Sequence, residues 1–172
     1  MTEKEVKMFF DAIHINSKWY MEQFHADCIF GANLNALKKT FDLMPNNEIH
    51  KDLLFYIKHC MPSNQCIEPN LCFLSPSAIY SECTKYVPCN IIIKHGYLPF
   101  AKNGGGAPYA FRISDGKIFL FYVNDYSEGI SKVINSKSVT VPPSEEILAE
   151  QTEKAWGSFS EFIYWYLEWC NT

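Results

Sequence analysis

A turn signal in the middle of the chain sets the tightest limit on its fold. Ser114, Asp115 and Gly116 separate two apolar runs, YAFRIS and KIFLFYV, in this sequence of 172 residues. Asp-Gly readily adopts the left-handed backbone conformations that a tight turn between antiparallel strands requires. The sequence therefore predicts a β-hairpin at this point, which commits the middle of the chain to a mostly antiparallel sheet.

Helical patterns lie on both sides of the predicted hairpin. Thr2 and Glu5 make a capping box for an N-terminal helix, and Pro76 stands at the first position of a helix over SAIYSECTKY. Ser144 is expected to cap a helix over EEILAE. Apolar residues at helical spacing predict three more helices, over NLNALKKTFDLM, EIHKDLLFYIKHCM and SFSEFIYWYLEWC.

Strands are expected only in the middle of the chain. The segment CIEPNLCFLSP predicts a short strand, the three isoleucines of CNIIIKHGYLPFA predict a buried strand, and ISKVI predicts one more. Because helices and strands occupy separate parts of the sequence, the pattern favours an α+β fold. We expect a single domain over residues 1–172, with a mixed, mainly antiparallel central sheet and with N-terminal helices and a C-terminal helix packed around it.

The composition favours a soluble, reduced protein. With 48% apolar residues the chain can fold without disulfides or metal. Its seven cysteines include no C-x-x-C pair, so we expect reduced and mostly buried thiols. The first ten residues lack the apolar run of a signal peptide, and no segment approaches the ~20 apolar residues of a membrane span. We therefore expect a cytoplasmic protein that does not contact membranes.

Three consecutive glycines, Gly104, Gly105 and Gly106, invite a phosphate-binding interpretation. A P-loop continues with lysine and a hydroxyl residue, whereas this run continues with Ala107-Pro108-Tyr109. A dinucleotide-binding turn opens a helix, whereas these glycines open a strand. They are better explained as a bend whose backbone takes positive φ angles close to a neighbouring element.

Other patterns of catalytic or ligand-binding residues are equally weak. The sequence has no G-x-S-x-G motif and no recognisable cysteine–histidine protease pattern. The carboxylates of Asp115, Asp125 and Glu128 fall in turns, where hydrogen bonds to the backbone explain them. We expect no catalytic residue, no cofactor and no metal site, although a pocket beside Asp115, Asp125 or Glu128 would favour one.

The C-terminal part has features of a partner-binding surface. Residues 104–172 hold nine acidic and five basic residues, whereas residues 1–103 hold ten of each. Such a charge repels nucleic acid and attracts a basic partner, although a solvated acidic helix face would also explain it. The last helix has a core-facing stripe made of Phe159, Phe162, Ile163, Tyr166 and Leu167. Trp165 and Trp169 fall largely outside this stripe and either pack in the core or anchor a partner.

Read as a whole, GYLPFAKNGGGAPYAFRISDGKIFLFYVNDYSEG resembles the SUKH superfamily, which includes a fungal regulator of cell-wall synthesis and many bacterial immunity proteins. The matching residues are Leu98, Pro99, Phe100 and Ala101, the run from Gly104 to Gly106, Tyr109, Ala110 and Phe111, and the turn at Asp115 and Gly116. Ser158, Phe159 and Phe162 look like the closing Ser-Phe-x-x-Phe helix of that family. The resemblance covers residues 71–170 and departs at Ala107-Pro108, where members often have Gly-Asp.

The resemblance implies an α+β fold and a non-enzymatic role. Bacterial members bind and neutralise a toxin, commonly a nuclease or deaminase, that competing cells deliver. For this chain it implies a cognate toxin as partner, expected to be basic and to target nucleic acid, while the chain itself binds no nucleic acid and is a monomer or weak homodimer. The contact residues expected from exposure and charge are Tyr126, Glu128, Glu145, Glu146, Glu150, Trp165 and Trp169.

Two alternatives stay open from the sequence. The first is a regulatory protein-interaction module of the same fold, like the fungal relative. The second is an enzyme or a small-ligand-binding domain that uses a pocket near the glycine run.

Overall fold

The computed structural model describes residues 2, 4–11, 29–45, 48–64, 71–121, 130–134 and 136–170. The helices are α1 (residues 4–11), α2 (Lys38–Phe41, after a 3-10 turn at Leu34–Leu37), α3 (Lys51–His59), α4 (Pro76–Lys85), α5 (Cys89–Ile92, followed by a 3-10 turn at Ile93–His95), α6 (Glu145–Glu150) and α7 (Phe159–Cys170). The strands are β1 (Leu71–Phe73), β2 (Tyr97–Asn103), β3 (Pro108–Arg112), β4 (Ile118–Phe121), β5 (Ile130–Ile134), β6 (Lys137–Val141) and β7 (Thr152–Trp156). Among these residues no helix is both long and apolar enough to cross a membrane.

Capping residues start several helices at the positions expected from the sequence. The Glu5 N–H donates to Thr2 Oγ1 over 3.4 Å, and the Glu5 carboxylate accepts a hydrogen bond from the Thr2 N–H. Ser75 and Ser144 each accept a hydrogen bond from the backbone N–H three residues later, at 3.4 Å and 3.3 Å. These bonds satisfy N–H groups that the first turn of a helix leaves unpaired. The predicted helices over residues 34–41, 51–59, 76–85, 145–150 and 159–170 are confirmed.

Five strands form one sheet in the order β1-β2-β3-β4-β7, and each pair of neighbours is antiparallel. The predicted hairpin joins β3 to β4. At its turn the Arg112 N–H donates to the Lys117 carbonyl (2.8 Å) and the Gly116 N–H donates to the Arg112 carbonyl (2.9 Å). Gly116 has a φ of 73°, which confirms the need for glycine there. The α+β fold class is likewise confirmed.

The isoleucine run corrects one prediction. Residues 89–92 form helix α5 and residues 93–95 a 3-10 turn, so strand β2 begins only at Tyr97. Ile92 and Ile93 are both buried, but they pack into two different apolar clusters. A helical backbone directs neighbouring side chains about 100° apart and so allows this division. Gly96, with a φ of 81°, ends the turn and lets the chain enter the sheet.

Two strand arrangements go beyond the sequence-based expectation. ISKVI is a strand, as predicted, but β5 pairs with β6 in a separate two-stranded sheet. Strand β7, which the sequence analysis did not predict, is an edge strand of the main sheet and pairs with β4. Its pattern is polar, with three exposed residues in a row, so it lacks the apolar alternation by which strands are recognised.

The two faces of the main sheet are covered by different helices. One face carries the larger core, in which sheet residues pack against α1, α3 and α7; its sheet members include Leu98, Phe100, Tyr109, Phe111, Ile118 and Leu120. The other face packs against α5 and α6 in a smaller cluster that contains Ile92, Tyr97, Ala110, Phe119, Phe121 and Leu148. Helices α6 and α7 therefore lie on opposite sides of the sheet.

Candidate partner-binding cleft

A surface cleft of about 430 Å³ lies where the C-terminal half of α7 crosses the end of the main sheet. Its walls come from the β2–β3 turn, from both edges of the sheet and from α7. The lining residues are Leu71, Asn103, Gly104, Gly105, Tyr109, Leu120, Glu153, Lys154, Trp165, Tyr166 and Trp169. We call this feature the aromatic cleft.

The glycine turn forms one wall of the aromatic cleft. The side-chain oxygen of Asn103 accepts hydrogen bonds from the Gly105 N–H (3.0 Å) and the Ala107 N–H (2.8 Å). The Gly106 N–H donates to the Asn103 carbonyl (2.9 Å), and Gly106 has a φ of 84°. This confirms the predicted bend with a positive φ between two strands, but the expected close approach to a neighbouring element is wrong, because a Cβ added at Gly106 would meet nothing within 4 Å. Because glycines carry no side chains, this wall of the cleft is bare backbone.

A bulge in the sheet forms the opposite wall. Leu120 pairs with Lys154, but the next residue, Phe121, pairs with Thr152, so Glu153 is an extra residue on β7. Consecutive residues of a regular strand point to opposite faces of the sheet, and a bulge breaks that alternation. Glu153 and Lys154 consequently both line the aromatic cleft.

Stacked aromatic rings form the floor of the cleft. The Trp165 ring centroid lies 4.9 Å from that of Trp156, 5.7 Å from that of Phe162 and 6.2 Å from that of Tyr109. Trp165 is half-buried, whereas Trp169 is 42% exposed. The two rings stack at 6.4 Å with an angle of 19° between their planes. The exposed ring of the pair, Trp169, gives the cleft aromatic surface that faces solvent.

A lysine of the chain itself already occupies this surface. Lys154 Nζ lies 4.4 Å from the Trp165 ring centroid and 5.2 Å from the Trp156 ring centroid. Both distances fall within the ~6 Å range of cation–π attraction. The face of Trp165 is therefore chemically suited to a cation.

Tyr109, which lines the cleft, has a shifted pKa. Burial, and then the nearby charge of Glu153, raise the pKa of Tyr109 to about 12. Its phenol is therefore neutral at physiological pH and available for hydrogen bonding. The flanking helix α7 contains Glu161 and Glu168 and no basic residue. Glu161 is used at the start of the helix, where its carboxylate accepts a hydrogen bond from the Gly157 N–H at 2.7 Å.

The structure brings only some of the sequence-predicted contact residues together. Trp165 and Trp169 meet in the aromatic cleft. The acidic residues of α6, which are Glu145, Glu146 and Glu150, are exposed on the helix that covers the other face of the sheet. Tyr126 and Glu128 lie outside the described residues. The described contact residues therefore form two surfaces rather than one.

Among the carboxylates considered for chemistry, Asp115 has a role in the scaffold. Asp115 accepts two hydrogen bonds from Arg112 and one from the Lys117 N–H, at the tip of the hairpin. Asp125 and Glu128, the other carboxylates considered for chemistry, lie outside the described residues. In the described part of the chain, no three histidine, cysteine or acidic side chains are grouped as metal ligands would be.

The apolar residues on which the sequence resemblance rests are likewise structural. Leu98, Phe100, Phe111, Phe159 and Phe162 are fully buried in the larger core. Burial also raises the pKa of the Cys60 and Cys89 thiols to about 12, and that of Cys83 further. These three cysteines are buried and free, as the composition predicted.

Sequence reasoning missed Asn103, Glu153 and Lys154 as parts of the cleft. Asn103 directly precedes the glycines, and an asparagine side chain that bonds backbone two residues on is a common turn device. That signal was available. The role of Glu153 and Lys154 depends on an unpredicted strand and on its bulge, which no local pattern reveals.

Comparisons with known proteins add no assignment. No family model matches the chain, and neither a curated protein nor a solved structure matches it at a significant level. The chemistry of the aromatic cleft and the motif resemblance are therefore what bear on function.

Proposed function

We propose that the chain is an immunity protein that neutralises a cognate toxin by forming a stoichiometric complex with it. The observation that supports this most directly is the stacked pair Trp165 and Trp169 in the aromatic cleft, of which Trp165 is half-buried and Trp169 is exposed to solvent. Tryptophan is among the residues most enriched at the energetic centres of protein interfaces. The toxin is proposed to bind here.

Trp165 packs against the larger core, whereas the core does not account for the exposure of Trp169. Helix α7 fills the larger core with Phe159, Phe162, Ile163 and Tyr166, each of which is at most 1% exposed. Trp169 stacks on Trp165 and Tyr166, on the outer side of this cluster. A large aromatic side chain that stays 42% exposed leaves apolar surface for a partner to bury.

The sequence resemblance and the charge of the chain support a toxin as the partner. The bacterial members of the SUKH superfamily, which this chain resembles in sequence, neutralise nucleases and deaminases used in interbacterial competition. Enzymes that act on nucleic acid tend to present basic surfaces, and residues 104–172 of this chain are acidic. A neutralising complex needs a dissociation constant on the order of nanomolar, about −12 kcal/mol. We place this complex in the cytoplasm.

The dimensions of the aromatic cleft support a second candidate function. Its volume of about 430 Å³ falls within the range of roughly 300–1,000 Å³ that small-ligand sites occupy. A ligand-binding domain with a site beside the glycine turn would use the same residues. A gene far from secretion or toxin genes would instead favour the third candidate, a regulatory module of the same fold.

Co-expression tests the immunity function. Cells that produce the toxin encoded beside this gene are expected to survive only when this chain is also produced, and the toxin is expected to co-purify with it. Tyr164→Ala serves as a control and is expected to rescue the cells as well as the wild type does. Tyr164 is an exposed aromatic residue of α7 that lies outside the cleft lining. The proposal would be contradicted if this chain rescued no cells and co-purified with no neighbour-encoded toxin.

A further inference from the structure

Lys154 shows what kind of side chain the aromatic cleft can hold. Its ammonium group lies over the Trp165 and Trp156 rings, and no carboxylate of the described residues lies within 4.0 Å of it. Attraction between an exposed cation and an aromatic ring is weak. A competing cation with additional contacts can therefore displace Lys154 from the ring.

Acidic side chains beside the rings supply those additional contacts. Glu153 lines the cleft next to Lys154, and Glu168 is exposed on α7. Glu168 is three residues from Trp165, a spacing that places two side chains side by side on a helix. No basic residue of α7 competes for these carboxylates. The negative charge of these two carboxylates is complementary to a cationic side chain of a basic protein.

Arginine fits the arrangement better than lysine. Its guanidinium group is planar, stacks on aromatic faces and carries five N–H donors in a fixed fork. The face of the Trp165 ring, over which Lys154 Nζ lies at 4.4 Å, is a flat surface of matching shape. The neutral phenol of Tyr109 and the carboxylates of Glu153 and Glu168 can accept its hydrogen bonds.

We infer that the aromatic cleft is a receptor for an arginine side chain of the toxin, and that this arginine displaces Lys154 from the Trp165 ring. The inference rests on the proposed function, because it names the partner group that the cleft recognises. The acidic helix α6, on the other face of the sheet, takes no part in this contact.

A peptide titration tests the inference directly. The probe is a tetra-arginine amide, and the readout is the indole N–H signals of Trp165 and Trp169 in NMR spectra of the intact protein. Lys154→Ala removes the competing cation and is expected to tighten binding about two- to fivefold. The matched control is Lys117→Ala, which removes an equal charge at the β3–β4 turn, beside Asp115 and away from the cleft. Equal effects of the two variants would overturn the inference.

Two further variants separate a specific cleft from general charge attraction. Trp169→Ala removes an exposed ring and is expected to weaken binding of the peptide at least fivefold. Glu153→Gln keeps the shape of the side chain and is expected to weaken it about threefold, whereas Glu146→Gln on α6 is expected to have no effect. Equal weakening by both glutamine variants would mean that only net charge matters and would overturn the inference.

The toxin itself distinguishes this inference from the proposed function. If the toxin co-purifies with the wild type and equally well with Trp169→Ala and Glu153→Gln, the arginine receptor is wrong and the immunity function stands. If the peptide behaves as expected but no neighbour-encoded toxin is neutralised, the immunity function fails and the arginine receptor stands.

Discussion

The Asp115 carboxylate forms an ion pair with Arg112 within the same hairpin. Arg112 Nη2 lies 2.6 Å from Asp115 Oδ2, and Arg112 Nε lies 3.0 Å from Asp115 Oδ1. These two bonds, more than any other contact, hold the pKa of Asp115 below its ordinary value. The same contact raises the pKa of Arg112. The pair holds the hairpin tip, and this structural role accounts for the Asp115 carboxylate.

This pair predicts a pH dependence of stability that Asp115→Asn should remove. Because the pKa of Asp115 is lower in the folded than in the unfolded chain, its contribution is complete above the unfolded pKa of about 4 and is lost as the pH falls through the folded value. Both side chains are partly exposed, so we expect the wild type to exceed the variant by at most about 1 kcal/mol near neutral pH.

Urea unfolding from pH 7 down to pH 2.5 measures the difference between the two proteins. It is expected to shrink toward zero below about pH 4. A difference that stays constant to pH 2.5 would contradict this account of Asp115.

Removal of the Phe100 side chain is expected to destabilise the fold strongly. Phe100 is fully buried, and its ring lies 4.7 Å from that of Phe111 and 5.4 Å from that of Phe162. Phe100→Ala is expected to lower the free energy of unfolding by about 3–5 kcal/mol, because it leaves a cavity between the sheet and α7. Tyr164→Ala, at a residue 49% exposed, should change it by less than about 0.5 kcal/mol. Similar losses in urea unfolding for both variants would be inconsistent with this packing.

In the turn between β2 and β3, Gly105 and Gly106 differ in backbone conformation and in the space available for a side chain. Gly106 has a φ of 84° and open space where a side chain would start, so the cost of a substitution there comes from the backbone alone. At Gly105 an added Cβ would lie 3.4 Å from Asn103 Oδ1, and the backbone is not in the left-handed region. Gly106→Ala is therefore expected to destabilise by about 1–2 kcal/mol, and Gly105→Ala by clearly less. Thermal unfolding of both variants gives the comparison, and the reverse order would refute the assignment.

Elements with a local signal were predictable from the sequence, and elements defined by distant contacts were not. The β3–β4 hairpin has Asp-Gly at its tip, and α4 has Ser75 and Pro76 at its start. These residues are themselves the sequence signals that predict a hairpin and a helix start. The isoleucines of α5 gave no such signal, because a short apolar run suits a buried helix as well as a strand. Strand β7 is polar and is held in the sheet by β4, which lies more than thirty residues earlier.

The distribution of surfaces over the molecule was the least predictable property. Trp165 and Glu150 lie only fifteen residues apart in sequence, yet α6 and α7 cover opposite faces of the sheet. Strand β7 carries the chain between the two helices, and its position at the sheet edge determines that separation. The sequence predicted the tryptophans and the acidic residues but not the distance between the two groups.

This separation predicts different roles for the two surfaces in toxin binding. Glutamine at Glu145, Glu146 and Glu150 together is expected to slow association several-fold and to reduce its salt dependence, because remote charges steer the encounter. Trp169→Ala is expected to speed dissociation, because contacts at the interface centre set the lifetime of a complex. Surface plasmon resonance at two salt concentrations resolves the two rates. Faster dissociation in the glutamine variant would place α6 in the interface and contradict this division.

The most direct test is to titrate this protein into its purified neighbour-encoded toxin and to measure the activity of the toxin. The account predicts that activity falls linearly and disappears at one molar equivalent, with a dissociation constant on the order of nanomolar or tighter. Full toxin activity at a large molar excess of this protein would contradict it.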